Sequence, residues 1–203
     1  MKRLICVVLA IASVFALVSC GDGDLKEFLE VVESTTPTTV KTLTTITTDD
    51  EILNGVYTTK LNGDDFDFEY SYERYATVED EAETYIVTVE GVVYYKDGKY
   101  SEDGENWFVN KPSAIPQQFS LNIDKDLFTE YTINADKTSL IATISPENAE
   151  AVFGTGNAIA ATGNITLAVK TNGIYLTSVS VIYDSSFGRV SVDTSYTYSP
   201  VNS

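Results

Sequence analysis

A strict alternation of aromatic and polar residues in the middle of the chain constrains the fold most strongly. Aromatic residues occupy every second position from Phe66 to Tyr72, and the positions between them begin with Asp65, Asp67 and Glu69. A period of two places successive side chains on opposite faces of a β-strand. The segment is therefore predicted to be a strand with one buried aromatic face and one wet acidic face.

Turn residues and β-branched runs predict further antiparallel strands on both sides of this one. Asn62-Gly63, Asp97-Gly98 and Asn172-Gly173 are dipeptides typical of tight hairpins, which connect antiparallel neighbours. The predicted strands cover about residues 38–48, 52–61, 66–73, 84–95, 99–101, 128–135, 139–144, 164–171, 174–183 and 190–198.

Two short helices are predicted beside the strands. Apolar residues at helical spacing follow the N-cap candidate Asp24, which predicts a helix over about residues 25–33. Pro146 at a first helical position and Gly154 just past the end frame a second helix over about residues 146–153. The fold class is therefore mainly β (α+β), as an open curved antiparallel sheet, a barrel or a sandwich.

The predicted strand over residues 174–183 has no plainly wet face. Ser178, Ser180 and Ile182 alternate with Val179 and Val181, so neither side is strongly polar. This pattern is typical of a central strand that is covered on one side and partly shielded on the other.

The first twenty residues carry the pattern of an export signal. The basic pair Lys2-Arg3 precedes an apolar run from Leu4 to Val18 that is too short to span a bilayer comfortably. The run ends in Leu17-Val18-Ser19-Cys20, which resembles the lipobox of bacterial lipoproteins. The resemblance implies cleavage between Ser19 and Cys20 and attachment of acyl chains, such as palmitate, to Cys20.

This pattern divides the chain into three parts. Residues 1–19 are the signal peptide to be removed, residues 20–24 are the lipidated cysteine and a short tether, and residues 25–203 are a single antiparallel β domain. Acyl chains attach a protein to a membrane because each buried methylene contributes about 0.8 kcal/mol. We therefore expect a lipid-anchored monomer on the extracytoplasmic face of a cell membrane, within the cell envelope.

Charge and missing residue types exclude several functions. The chain has 30 acidic and 13 basic residues and a net charge of −17, which argues against nucleic acid as a partner. It has no His, and its two cysteines are Cys6 in the signal and Cys20 in the lipobox, so triads and zinc sites that use His are excluded. Carboxylates such as Asp65 and Asp67 are about 7 Å apart on one strand face, which is typical of a solvent side. We expect no enzyme activity, no cofactor and no metal site.

Aromatic residues around a proline-containing segment are the candidate ligand-binding residues. Pro112 and Pro116 indicate a loop between residues 109 and 122. Because Trp and Tyr combine apolar area with a polar group, such a cluster lines a cavity mouth, forms a partner surface or fills the core. The candidates are Trp107, Phe108, Phe119, Phe128, Tyr131 and Phe153.

The order of elements along the chain follows a recognisable layout. A lipobox and an N-terminal helix precede long antiparallel strands, a hairpin at Tyr94–Tyr100 leading to Trp107, a short helix and final strands that end at Tyr198. This layout resembles the LolA/LolB-like and LppX/LprG-like half-barrel lipoproteins. In that family an open half-barrel wraps around helices and encloses an apolar cavity for acyl chains. The helices here are shorter, and no ligand contact carries over.

Two functions follow from these observations, and a third, an enzyme, would require a buried carboxylate pair in a cleft with one strongly raised pKa. The first is a non-catalytic, membrane-anchored lipoprotein that binds or carries an apolar, lipid-like ligand in a half-barrel. The alternative is an anchored adhesion, scaffold or envelope-maintenance protein that binds protein or glycan through its sheet surface. A dry cavity behind residues 109–122 would favour the first function, whereas a packed interior with an exposed aromatic patch would favour the second.

Overall fold

Ten antiparallel strands form one sheet. The structure is a computed structural model, and it describes residues 22–33, 36–77, 84–112, 122–154 and 160–199. The strands are β1 (Thr39–Thr47), β2 (Ile52–Asn62), β3 (Asp65–Thr77), β4 (Thr84–Lys96), β5 (Lys99–Ser101), β6 (Phe128–Ile133), β7 (Ser139–Ile144), β8 (Ile165–Thr171), β9 (Leu176–Ser185) and β10 (Gly188–Thr197).

The strand order gives the sheet two halves. The order is β5-β4-β3-β2-β1-β10-β9-β8-β7-β6, so each half is a five-stranded meander. The halves meet where β1 pairs with β10, from Thr39 opposite Thr197 to Thr47 opposite Arg189. The end strands β5 and β6 do not pair with each other, and the sheet stays open. The predicted mainly β, open antiparallel class is confirmed.

Helices lie at both predicted positions. Helix α1 covers Asp22–Glu33, and helix α2 covers Ala149–Phe153 after a 3-10 turn at Pro146–Asn148. A second 3-10 turn, Lys125–Leu127, leads into β6. An isolated helix as short as α1 is marginal in water, so its stability comes from packing against the sheet.

The main core lies between the two helices and one face of strands β6–β10, which we call the helix face. Leu25 and Phe28 of α1 and Phe153 of α2 are buried there. The sheet contributes Ile133, Leu140, Ala142, Ile144, Ile165, Leu167, Val169, Leu176, Val179, Val181, Val190 and Val192. Burying one such large side chain contributes about 1.5–3 kcal/mol. Lys137 in the β6–β7 turn adds ion pairs to Asp24 and Glu27 of α1.

The hairpin at Asp97-Gly98 follows the predicted chemistry, whereas the turn predicted at Asn62-Gly63 lies one residue further on, because Asn62 pairs with Asp65. Asp97 and Gly98 both have positive φ angles, of 51° and 78°, as a tight hairpin requires. The two-residue hairpin predicted at Asn172-Gly173 is wrong, because Thr171 pairs with Leu176 and leaves four residues in the loop. The Asn172 carboxamide oxygen accepts hydrogen bonds from the backbone N–H groups of residues 174 and 175, and this stabilises the longer loop.

Gly188 is required at the start of β10. Its φ of 141° lies in a region that only glycine adopts readily, and an added Cβ would overlap the carbonyl oxygen of Thr47 on β1. We expect Gly188→Ala to lower the free energy of unfolding by about 3 kcal/mol, since backbone strain and a clash with backbone combine. Urea unfolding measures the change.

Gly63→Ala is the matched control for this prediction. Gly63 also has a positive φ, of 65°, but nothing lies within 4 Å of an added Cβ. We expect it to cost about 1 kcal/mol, the conformational part alone. Equal losses for the two variants would show that the close approach of β10 to β1 does not matter.

Candidate functional site

A trough crosses the sheet on the side opposite the helices, which we call the open face. It has a volume of about 680 Å³ and is lined by residues of five neighbouring strands, β1, β10, β9, β8 and β7. The trough is therefore a concave part of the open face that crosses five neighbouring strands. Its volume lies within the range of about 300–1,000 Å³ typical of small-molecule sites.

Strand register arranges the trough residues in three cross-strand rows. The polar row is Ser139, Lys170, Ser178 and Ser195; the middle row is Ile141, Ala168, Ser180, Asp193 and Leu43; the far row contains Thr166 and Ile182. Rows are two residues apart along each strand, which is about 7 Å. The polar row therefore forms one end of the trough, and most of the apolar side chains lie beyond it.

The polar groups of the trough differ in how they are paired. The Asp193 carboxylate accepts hydrogen bonds from the hydroxyls of Ser180, at 2.6 Å, and Ser191, at 2.9 Å. Within the described ranges, the side chains of Ser139, Lys170 and Ser178 make no hydrogen bond or ion pair with one another or with other residues. The Asp193 carboxylate in the middle row therefore has hydrogen-bond partners. The side chains of Ser139, Lys170 and Ser178 in the polar row are available to donate to a ligand.

Among the described residues, the space between the sheet and the helices is filled by a packed core. The half-barrel resemblance places helices in the concavity and the ligand cavity around them, but here the helices and the helix face of β6–β10 form the packed main core. Val152 and Phe153 of α2 are fully buried in that core. The open space lies on the other side of the sheet.

A second candidate surface lies on the helix face of the other half of the sheet, and we call it the aromatic face. Its members, on strands β2 to β5, are Tyr57, Phe66, Phe68, Tyr70, Tyr72, Tyr95 and Tyr100. Phe68 is buried and the others are half-buried. The rings of Tyr57 and Phe68 are 6.2 Å apart with an interplanar angle of 17°, and those of Phe66 and Tyr95 are 4.9 Å apart at 18°.

Two glycines allow the aromatic rings to lie flat on the sheet. An added Cβ at Gly91 would overlap the ring of Tyr70, its cross-strand partner, and an added Cβ at Gly55 would lie 2.9 Å from the ring of Tyr57. Aromatic rings commonly cover glycines of a sheet in this way. Burial and the neighbouring Tyr72 raise the pKa of Tyr57, so its hydroxyl stays neutral at physiological pH. The result is a flat, partly exposed π surface.

The predicted candidate residues are distributed over separate places. Trp107 and Phe108 are exposed beside β5, where the backbone of Phe108 bonds to that of Tyr100. Phe128 and Tyr131 lie on β6, the opposite end strand, with ring centroids 6.2 Å apart. Phe153 is a core residue. Phe119, like Ser19 and Cys20, lies outside the described residues.

A tight turn fixes the segment that carries Trp107. The Asp103 carboxylate accepts hydrogen bonds from the Ser101 hydroxyl, from the backbone N–H of Glu105, and from the backbone and side-chain N–H groups of Asn106. These bonds hold the pKa of Asp103 well below its ordinary value. The acidic cluster near residue 103 therefore forms a self-contained turn.

No group of three or more His, Cys, Asp or Glu residues in the described ranges is arranged to hold a metal ion. No helix in that part of the chain has the length and apolar character needed to cross a membrane.

Comparisons with known proteins leave the site to be judged on its own geometry. No protein-family model matches the chain, and no curated protein matches it.

Sequence reasoning missed Leu43, Ile141, Ala168 and Lys170 as site residues. The unusual second face of residues 174–183 was the available signal, because Ser178, Ser180 and Ile182 are the part of β9 that lines the trough.

Proposed function

We propose that this protein is a membrane-anchored, extracytoplasmic lipoprotein that binds an apolar, lipid-like ligand without catalysing a reaction. The single observation that carries the proposal is the 680 Å³ trough on the open face. The layout resemblance, which implies a half-barrel with an apolar ligand, also supports the proposal, although the proposed ligand lies on the side of the sheet away from the helices.

The chemistry of the trough supports an apolar ligand. Leu43, Ile141, Ala168 and Ile182 present hydrocarbon to the trough, and Leu43 is 44 % exposed. Covering apolar surface contributes about 25 cal/mol per Å². Small side chains such as Ser178 and Ser180 leave the floor of the trough open, so a long flexible chain can lie on the sheet.

The same residues support a binding role over a catalytic one. Asp193 is the one carboxylate that lines the trough among the described residues, and its oxygens already accept two serine hydroxyls. A carboxylate pair for acid–base chemistry is not assembled in this part of the structure. Binding and release of a ligand need no such pair.

The lipid anchor is tested by changing its attachment site. We expect Cys20→Ala to stay unprocessed and unacylated, because the acyl chains attach to the Cys20 sulfur. Intact-mass measurement should then give the full 203-residue chain without lipid. Cys6→Ala is the control, since Cys6 leaves with the signal peptide. A Cys20→Ala chain that is still cleaved and lipid-bearing would contradict the assignment.

The ligand site is tested by filling the trough. We expect protein purified from its own host's membranes to retain a lipid of defined mass in native mass spectrometry with lipid extraction. Ala168→Trp should reduce the recovered lipid by about tenfold, which corresponds to about 1.4 kcal/mol of lost affinity.

Ser71→Trp is the matched control for this experiment. Ser71 lies on the same open face, on β3, outside the trough. We expect this variant to retain lipid as the unchanged protein does. If the unchanged protein is empty and also ignores added lipids, the carrier function is wrong.

The aromatic face favours a second candidate function, that of an anchored adhesion or scaffold protein that binds glycan. Flat aromatic rings with hydroxyl edges stack on the apolar faces of sugar rings and also offer hydrogen bonds. The rings of Tyr57, Phe68, Tyr70 and Tyr72 form one continuous series of contacts, with centroids 5.8–6.3 Å apart.

Tyrosines on the two faces of β3 allow glycan binding by the aromatic face to be tested. We expect Tyr72→Ala to weaken binding to purified cell-wall glycan by about fivefold, because an aromatic contact contributes about 1 kcal/mol. Tyr75→Ala is the control, since Tyr75 lies on the opposite face of the same strand and donates to Glu51. Co-sedimentation with the glycan measures binding. Unchanged binding by the Tyr72 variant would exclude the aromatic face.

A further inference from the structure

We infer that the ligand of the trough is a long-chain fatty acid whose carboxylate binds at the polar row and whose acyl chain crosses the middle and far rows. This inference rests on the proposed function and specifies its ligand. The structure supplies three observations: unpaired donors at one end, a single cation, and an apolar path that begins beside it.

The unpaired donors are neighbours on three adjacent strands. Ser139, Lys170 and Ser178 are directly opposite one another in the register of β7, β8 and β9. Neighbouring strands are about 4.8 Å apart, so the three side chains cover about 10 Å. Two hydroxyls and an ammonium group can donate together to one carboxylate, which only accepts hydrogen bonds. Bonds of this kind between charged groups are the stronger class.

The charges in the trough give the ligand a direction. Lys170 is the one cation among the described residues that line it, and this matches a head group with a single negative charge. Asp193 lies one row further and two strands away. Its negative charge repels an anion from the middle row. A carboxylate is therefore favoured at the polar end only.

The apolar path starts next to the polar row. Ile141 follows Ser139 by two residues on β7, and Ala168 precedes Lys170 by two residues on β8, so both lie in the middle row. Ile182 continues the path into the far row, and Leu43 borders it on β1. Three rows cover about 14 Å along the strands, which suits one acyl chain lying on the sheet.

The experiment uses the full chain in phosphatidylcholine vesicles and a palmitate analogue that carries a photoactivatable diazirine on its chain. Labelling of the trough strands is located by peptide mass spectrometry, and it is competed with palmitate or with hexadecanol, which has no charge. We expect palmitate to compete about tenfold better than hexadecanol with the unchanged protein, as a charge-assisted hydrogen bond predicts.

Two variants test the role of the ammonium group. Lys170→Gln should remove the preference for palmitate over hexadecanol while both still compete. Lys99→Gln is the control, since Lys99 lies on β5 at the far end of the sheet and should keep the preference. Circular dichroism verifies that both variants are folded.

The other outcomes overturn the inference in distinguishable ways. Equal competition by palmitate and hexadecanol with the unchanged protein shows that the trough does not select an anion, although it still binds apolar chains. A preference that survives Lys170→Gln shows that the carboxylate does not bind at the polar row. Labelling that avoids strands β7 to β10 overturns both this inference and the proposed function.

Discussion

The pairing of β1 with β10 is the interaction on which the rest of the structure depends. Each half of the sheet is a meander of strands that are neighbours in sequence, but β1 and β10 are about 150 residues apart along the chain. Their pairing closes that long loop, and the entropy of closure is repaid only by an extended ladder. Nine paired positions provide it, and Gly188 lets the strands approach where the ladder begins. Without this pairing, Leu43 would not lie beside Asp193 and the trough would lose one wall.

The two sides of the sheet are specialised because alternation places successive side chains on opposite faces. In β8, Ile165, Leu167 and Val169 are fully buried on the helix face, whereas Thr166, Ala168 and Lys170 lie on the open face. The helices pack against the helix face, and the small residues of the open face leave space for the trough. The open space therefore lies on the side of the sheet that the helices do not cover.

Local sequence signals predicted most of the strands and helices. Long-range strand pairing determines the trough, which local signals cannot predict. The period of two located β3, but the predicted strand ended at residue 73, four residues before the end of β3 at Thr77. Gly154 marked the end of the second helix, whose α-helical part begins at Ala149 after the 3-10 turn that starts at Pro146. The trough, however, combines side chains from Leu43 to Ser195, and their neighbourhood exists only once strand order and register are fixed. Aromatic residues were also a poor guide to the site, because a large ring is equally consistent with burial in the core and with ligand binding. Phe153 fills the core, whereas Trp107 remains exposed beside an end strand.

The acidity of the chain and a preference of its trough for an anion are compatible. Exposed charges further apart than about 8 Å are largely screened at physiological salt, so a net charge of −17 acts weakly on any single site. An anionic head group contacts the polar row, where Lys170 lies between Ser139 and Ser178. The nearest trough acid, Asp193, is held by two serine hydroxyls and sets a direction without neutralising Lys170. The acidic surface therefore does not prevent the register of three strands from giving one end of the trough a positive charge.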